Sequence, residues 1–365
     1  MNRYSQTDRA QNDRTAAVFL FCALALLLAL LLLFVPVAYR RASAEHESPD
    51  ATDADSAATT TDPAAAVTTT GGTADPGKVT ARYERDFVSP TPQKNYIPAN
   101  NAASVLLSSS EIDATNAILV NATDGTVIAS RLADERIYPA SMTKVMTLIV
   151  ACERLEQAEL EEKVIVTREI VDEAYRAGAS RAGFEAGEAV RILDLLYGIA
   201  LPSGADATAA LASYLAGGEA RFVLWMNEKA EQLGLVGTHF VNTSGLHDKN
   251  HYSTAREIAA MMAYAMEMPL CRALLGAKTY TTAPTDAHPE GITLYSTTFS
   301  RMTTTQFGMV SVLAGKTGYT NEARFCLVTY AERPDGTGYV LVTAGGTTKY
   351  TPVTDSAALY RKYIK

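Results

Sequence analysis

Residues that ligate metal or cross-link chains are scarce in this sequence: five histidines and four cysteines in 365 residues. Cys22 falls in an apolar N-terminal stretch, and Cys152, Cys271 and Cys326 each sit in apolar runs farther on. Those three leave at least one without a partner, so buried free thiols are expected rather than a disulfide framework. His247 and His251 lie four apart with Asp248 after the first, superficially like a zinc-binding His-Glu-x-x-His helix. They follow Asn242-Thr243-Ser244-Gly245-Leu246, a run of turn formers without helical periodicity, so no metal site is expected. His46, His239 and His288 do not extend the pair. Positive charge is short too: 32 Lys and Arg against 40 Asp and Glu leave a net charge of −8, which argues against nucleic acid as a partner. There is no glycine-rich phosphate loop, and no cofactor is expected.

What is present begins with a long apolar run. Ala16 to Ala38 is uncharged and dominated by Leu and Ala, 23 residues in all. As a helix it measures about 34 Å, enough to cross a bilayer core of about 30 Å. Residues 1–15 are therefore expected as a cytoplasmic tail and 16–38 as a transmembrane signal-anchor. Ala42-Ser43-Ala44 offers a cleavage site, which leaves a removed secretory signal open as the alternative. Arg3, Arg9 and Arg14 precede the span while Arg40 and Arg41 follow it, a slight positive-inside bias. Residues 39–94 are mainly Ala, Thr, Asp and Gly with few large apolar side chains, which reads as a disordered acidic linker. Residues 95–365 are long enough for one domain with a large core or two interlocked lobes.

Three fragments of that domain carry candidate chemistry: Ser141-Met142-Thr143-Lys144, Ser203-Gly204-Ala205 and Lys316-Thr317-Gly318. Each is weak alone. Alone, the first reads as a helix surface rather than a nucleophile, Ser203 as an N-cap and the third as a strand end. Their surroundings are patterned. Ile118 to Arg131 reads as two alternating strands about an Asp124-Gly125 turn. Helical periodicity dominates 145–276, as in Phe222 to Leu233; strands return at about 311–316, 324–332 and 338–345 before a final helix near 352–364. Pairing the first strands with the last makes one mainly antiparallel sheet, the middle helices forming a second lobe. Ser141 and Lys144, three apart near a helix start with Pro139 suited to the first turn, share one face. Lysine is a base only when neutral, a state that burial and a second cation such as Lys316 would favour.

With Phe240 to Leu246, His251 to Ala255 and Gly315 to Thr320 around them, these fragments resemble the SxxK, SxN and KTG motifs of the penicillin-binding D-alanyl-D-alanine carboxypeptidases, serine peptidases of family S11. The resemblance covers roughly residues 95–365. It implies an α/β (α+β) fold of the β-lactamase/DD-peptidase type, an antiparallel sheet flanked by helices with a mainly helical second lobe. It implies Ser141 as the acylated nucleophile, Lys144 as its base and Ser203 as a proton relay to the leaving amine. Lys316, Thr317 and Gly318 would bind substrate along a strand, and the backbone N–H groups of Ser141 and Tyr319 would form the oxyanion hole. The implied reaction removes the terminal D-alanine from peptidoglycan stem peptides, with β-lactam antibiotics as covalent inhibitors. Its substrate lies outside the cell, so the domain is expected there, held to the cell membrane by the N-terminal helix or secreted if that segment is cleaved. The extra C-terminal β domain of many relatives is not expected.

Two positions depart from the family pattern. Ala205 stands where SxN has its Asn, whose amide orients the lysine and donates to the scissile acyl group. Removing one such donor typically lowers rate by about 10²–10³. A weakly active or non-catalytic peptidoglycan-binding protein is therefore the alternative, ahead of a β-lactamase, whose deacylating Glu has no recognisable counterpart. Arg324 stands where relatives usually have glycine, and is expected either to narrow the cleft or to add a carboxylate contact.

Overall fold

The computed structural model describes Phe87 and residues 89–365. The expected tail, membrane span and most of the linker lie outside the described residues. The chain runs through β1 (Val105–Leu106), β2 (Asn116–Asn121), β3 (Thr126–Arg131) and β4 (Arg136–Ile137), then a 3-10 turn at Ala140–Thr143 that leads directly into α1 (Lys144–Arg154). The helical middle holds β5 (Lys163–Ile165), α2 (Arg168–Arg176), β6 (Ala189–Arg191), α3 (Ile192–Ala200), α4 (Ala205–Ala216), α5 (Glu219–Gln232), β7 (Ser253–Thr254), α6 (Ala255–Glu267) and α7 (Pro269–Gly276). Strands return as β8 (Thr279–Thr281), β9 (Thr293–Tyr295), β10 (Gln306–Phe307), β11 (Val310–Thr320), β12 (Arg324–Glu332) and β13 (Gly338–Gly346), followed by α8 (Thr351–Tyr363).

Seven strands form the main sheet in the order β1-β3-β2-β13-β12-β11-β10. First and last strands join where β2 pairs antiparallel with β13, Val120 opposite Val340, and only the short β1 runs parallel to its neighbour β3. Strand alternation divides the interior in two. Ile118 and Val120 of β2, with Val340 and Val342 of β13, face the helical lobe. Ala117 and Leu119, with Leu341, face the other way and are covered by Leu359 and Tyr360 of α8. One element is apolar on nearly every side: Lys144 through Ala151 of α1 are all buried. A helix of that kind belongs in a core, and α1 packs against α3, α4, α5, α6 and α7. The site lysine is thereby carried into the interior on the central helix.

Ordered contacts begin ahead of residue 95, inside the expected linker. Ser89 Oγ donates to Glu153 at 2.8 Å, Lys229 donates to the Pro90 carbonyl at 2.9 Å, and Lys94 pairs with Glu267 at 2.6 Å. Lys229 and Glu153, both almost fully buried, also pair with each other at 2.9 Å. This strap crosses the C-terminal end of α1, the end remote from Ser141. Of the three cysteines here, Cys271 and Cys326 are buried and Cys152 half-buried, all as free thiols.

Candidate active site

The Ala140–Thr143 turn holds Ser141 outside the regular helix and immediately ahead of it. Two glycines let other elements close on this turn. A Cβ on Gly318 of β11 would lie 2.9 Å from the Pro139 carbonyl and 3.2 Å from Ser141 N. A Cβ on Gly245, whose φ is +80°, would lie 1.9 Å from the Ala140 carbonyl. Ala140 itself has φ +47°, a left-handed conformation that alanine adopts only under constraint from its surroundings.

Lys144 Nζ donates to Ser141 Oγ at 3.1 Å and to the Ser244 carbonyl at 2.6 Å. The carbonyl is delivered by a loop folded on Asn242, whose Oδ1 accepts from Gly245 N at 2.7 Å and whose Nδ2 donates to the Leu246 carbonyl at 3.0 Å. Lys144 is 2% exposed. Burial lowers its pKa to about 7, against the opposing pull of the Asp206 and Glu219 carboxylates. Desolvation, rather than a second cation, is thus what makes this amine a usable base near neutral pH. Lys316 is equally buried and held well below the ordinary lysine range, by burial first and then by the charges of Lys144 and Arg301.

The second fragment approaches from the helical lobe. Gly204, not Ser203, is the N-cap of α4, which removes the capping reading of Ser203. Ser203 Oγ is buried, makes no hydrogen bond and sits in the cleft wall, on a residue with φ +70°. Ala205 also lines the cleft, its N–H held by the Ser180 carbonyl at 2.8 Å. The Asp206 carboxylate is committed to the backbone: it accepts from Ala182 N at 2.8 Å, Gly183 N at 3.1 Å and Ala207 N at 2.9 Å. It therefore does not stand in for the missing amide.

Thr317 and Gly318 line the opposite wall, with Thr317 Oγ1 2.7 Å from Thr297 Oγ1. Lys316 lies beneath that wall rather than in it, its ammonium donating to the Thr317 carbonyl at 3.2 Å. Tyr319 is half exposed at the cleft mouth, its ring stacked on Phe325 with centroids 4.4 Å apart. Two further cations, Arg301 and Lys349, line the cleft. Neither belongs to a recognisable motif, and no local sequence signal marks them. The cleft encloses about 790 Å³.

The remaining expectations resolve differently. Arg324 is exposed and absent from the cleft wall; its charge acts on Asp113 instead. Its φ of +58°, at the first position of β12, accounts for the glycine expected there. His251 is buried, with Nδ1 accepting from Val241 N at 3.2 Å and Nε2 donating to Thr143 Oγ1 at 2.7 Å. Both its ring nitrogens are committed within the fold. His247 instead packs edge-on against Tyr138, 4.6 Å between centroids, at the cleft wall. Among the described residues no cluster of three or more metal-ligating side chains occurs.

An antiparallel sheet against a helical lobe, with a Ser-x-x-Lys pair at their junction, defines the DD-peptidase fold. The DD-transpeptidase of Streptomyces K15 superposes on this chain with a TM-score of 0.60 at 28% identity, covering 68% of this chain and 95% of that one. The chain belongs to the D-alanyl-D-alanine carboxypeptidase family, whose sequence profile matches residues 101–347. It is 33% identical over 239 residues to D-alanyl-D-alanine carboxypeptidase DacF of Bacillus subtilis, spanning 65% of this chain and 59% of that protein. It is 30% identical over 240 residues to DacA of Haemophilus influenzae, spanning 64% of this chain and 58% of that protein.

Proposed function

We propose that the chain is a serine-type D-alanyl-D-alanine carboxypeptidase that removes the terminal D-alanine from peptidoglycan stem peptides through an acyl-enzyme on Ser141. The observation that carries this is the Ser141–Lys144 contact at 3.1 Å, with the lysine buried to a pKa of about 7. Lys144 takes the Ser141 proton as the hydroxyl attacks the scissile carbonyl; backbone N–H groups at Ser141 and Tyr319 receive the oxyanion. Ser203 Oγ, buried and without a partner, passes the proton to the departing D-alanine amine. Water then hydrolyses the ester. Thr317 with Arg301 and Lys349 suits the free carboxylate of the substrate, and the glycine at 318 lets its backbone lie against β11. Purified protein should be labelled by a fluorescent penicillin, with the adduct on the peptide containing Ser141, and Ser141→Ala should not label. An adduct elsewhere would overturn the assignment.

Ala205 favours one second reading, a weakly active or non-catalytic peptidoglycan-binding protein that keeps the cleft for recognition. The labelling experiment separates the non-catalytic form, which yields no covalent adduct, and the rate of labelling separates the weakly active one. The domain further reads as membrane-held: the apolar run at 16–38 supports a single-pass anchor with residues 39 to about 86 as tether and the peptidase domain outside the cell. Membrane fractionation of the full chain against one lacking residues 1–38 tests that placement.

A further inference from the structure

Two carboxylates behind the cleft have no place in the acyl-transfer scheme, yet each is fastened to one of its rims. Asp206, 1% exposed in the first turn of α4, accepts from the backbone N–H groups of Ala182 and Gly183. It thereby ties down the segment Ala177–Ser180, which lines one side of the cleft and whose Ser180 carbonyl holds Ala205 N. Glu219, in the first turn of α5, accepts from Thr243 N at 2.8 Å and Thr243 Oγ1 at 2.6 Å. The next residue, Ser244, carries the carbonyl on Lys144 Nζ. Asp206 thus fixes the helical-side rim and Glu219 the loop that grips the lysine.

We propose that Asp206 and Glu219 are positioning residues that together hold the two rims of the cleft and present their negative charge to the Lys144 amine. The groups facing Lys144 are Asp206 from α4, Glu219 from α5, Lys316 from β11 and His251 from the loop before β7. Only the two carboxylates favour the ammonium form. They act against burial, so the lysine stops near neutrality instead of falling further. This would also bear on the missing amide at 205: with no Asn to orient Lys144, its orientation rests on the Ser141 hydroxyl and on the carbonyl that Glu219 steadies.

The inference rests on the acyl-transfer reading, and the test separates the two. Second-order acylation by a β-lactam is measured against pH for wild type, Asp206→Asn and Glu219→Gln. Each variant keeps size and one acceptor oxygen but loses the charge. The acid limb, where Lys144 protonates, should move to lower pH by about one pH unit in Asp206→Asn and in the same direction, by less, in Glu219→Gln. A purely structural role would lower the rate at every pH and leave the limb in place. An unmoved limb, or one displaced to higher pH, in variants that still acylate overturns the inference. Absence of acylation in wild type overturns the underlying reading instead. Should Asp206→Asn fail to fold, Glu219→Gln, whose residue is not part of the core, still decides the matter.

Discussion

Lys144 Nζ sits closer to the Ser244 carbonyl, at 2.6 Å, than to the Ser141 hydroxyl, at 3.1 Å, which it deprotonates in the proposed reaction. A main-chain carbonyl accepts but cannot donate. It can therefore take over the part of the absent Asn that orients the amine, while the part that donates to the substrate acyl group stays unfilled. In the proposed reaction the site thus keeps its base in register and lacks one polarising contact.

That division predicts the outcome of restoring the amide. Ala205→Asn should raise both β-lactam acylation and D-alanine release from a model stem peptide, by up to about 10²–10³ if the full contact forms. A gain in acylation confined to pH values below neutrality would mean that the amide acts on Lys144 rather than on the acyl group. No gain, with an inactive wild type, favours the binding-module reading.

The orphan hydroxyl of Ser203 makes a contrasting case. Its Oγ contributes no hydrogen bond to the folded state, and alanine has the same difficulty as serine with a φ of +70°. Ser203→Ala should thus leave the unfolding free energy within about 0.5 kcal/mol of wild type. Acylation should nevertheless fall by about 10² or more, the usual share of a positioned proton relay. A large loss of stability would show that the serine is structural.

Much of this was legible in the chain because chemistry constrains residue type and spacing locally. Ser141 and Lys144 are one turn apart, and β12 and β13 run apolar over nearly the lengths observed, whereas β11, expected to end at 316, continues through Thr317 and Gly318 to Thr320. Other features depend on tertiary placement and leave no such trace. The Ser244 carbonyl is a group every residue owns, so its role exists only through the loop built on Asn242. Arg301 and Lys349 are single cations brought to the cleft from separate segments. Ser203 reads as an N-cap until the backbone shows helix α4 capped one residue later, and Lys316 reads as a cleft residue until its burial beneath the cleft wall is seen. The glycine expected at Arg324 is a matter of backbone conformation, which side-chain type conceals.

Close approach at Gly318 supplies a third prediction. A methyl group there would meet the Pro139 carbonyl at 2.9 Å and the Ala140 Cβ at 3.1 Å, both at the turn that carries Ser141. Because the obstacle is mainly backbone, relief requires β11 and the turn to separate by a few tenths of an ångström or more. Misplacement on the scale of 1 Å can lower rate by about 10². Gly318→Ala should show a fall of about that size in acylation with little change in secondary structure by circular dichroism. Wild-type rates would show that the oxyanion geometry does not depend on this contact.

Acid sensitivity should trace to His251. Burial, reinforced by the charge of His239 and opposed by Asp248, lowers its pKa from 6.5 to about 4; Lys144 and His247 push the same way as burial. A depressed histidine pKa means that between pH 6.5 and 4 the unfolded chain binds a proton which the folded chain refuses. Stability is therefore lost as pH falls through that window, by about 3 kcal/mol over its full width. The cause is local: Nδ1 accepts from Val241 N, and a proton there would set two donors face to face behind Thr143, next to Lys144. Urea unfolding midpoints measured from pH 7 to pH 4 should decline in wild type and decline less in His251→Gln, which cannot take up the proton. Parallel curves for the two proteins would assign the acid loss to other groups, such as the carboxylates of Glu111 and Asp113, whose pKa values their hydrogen bonds lower.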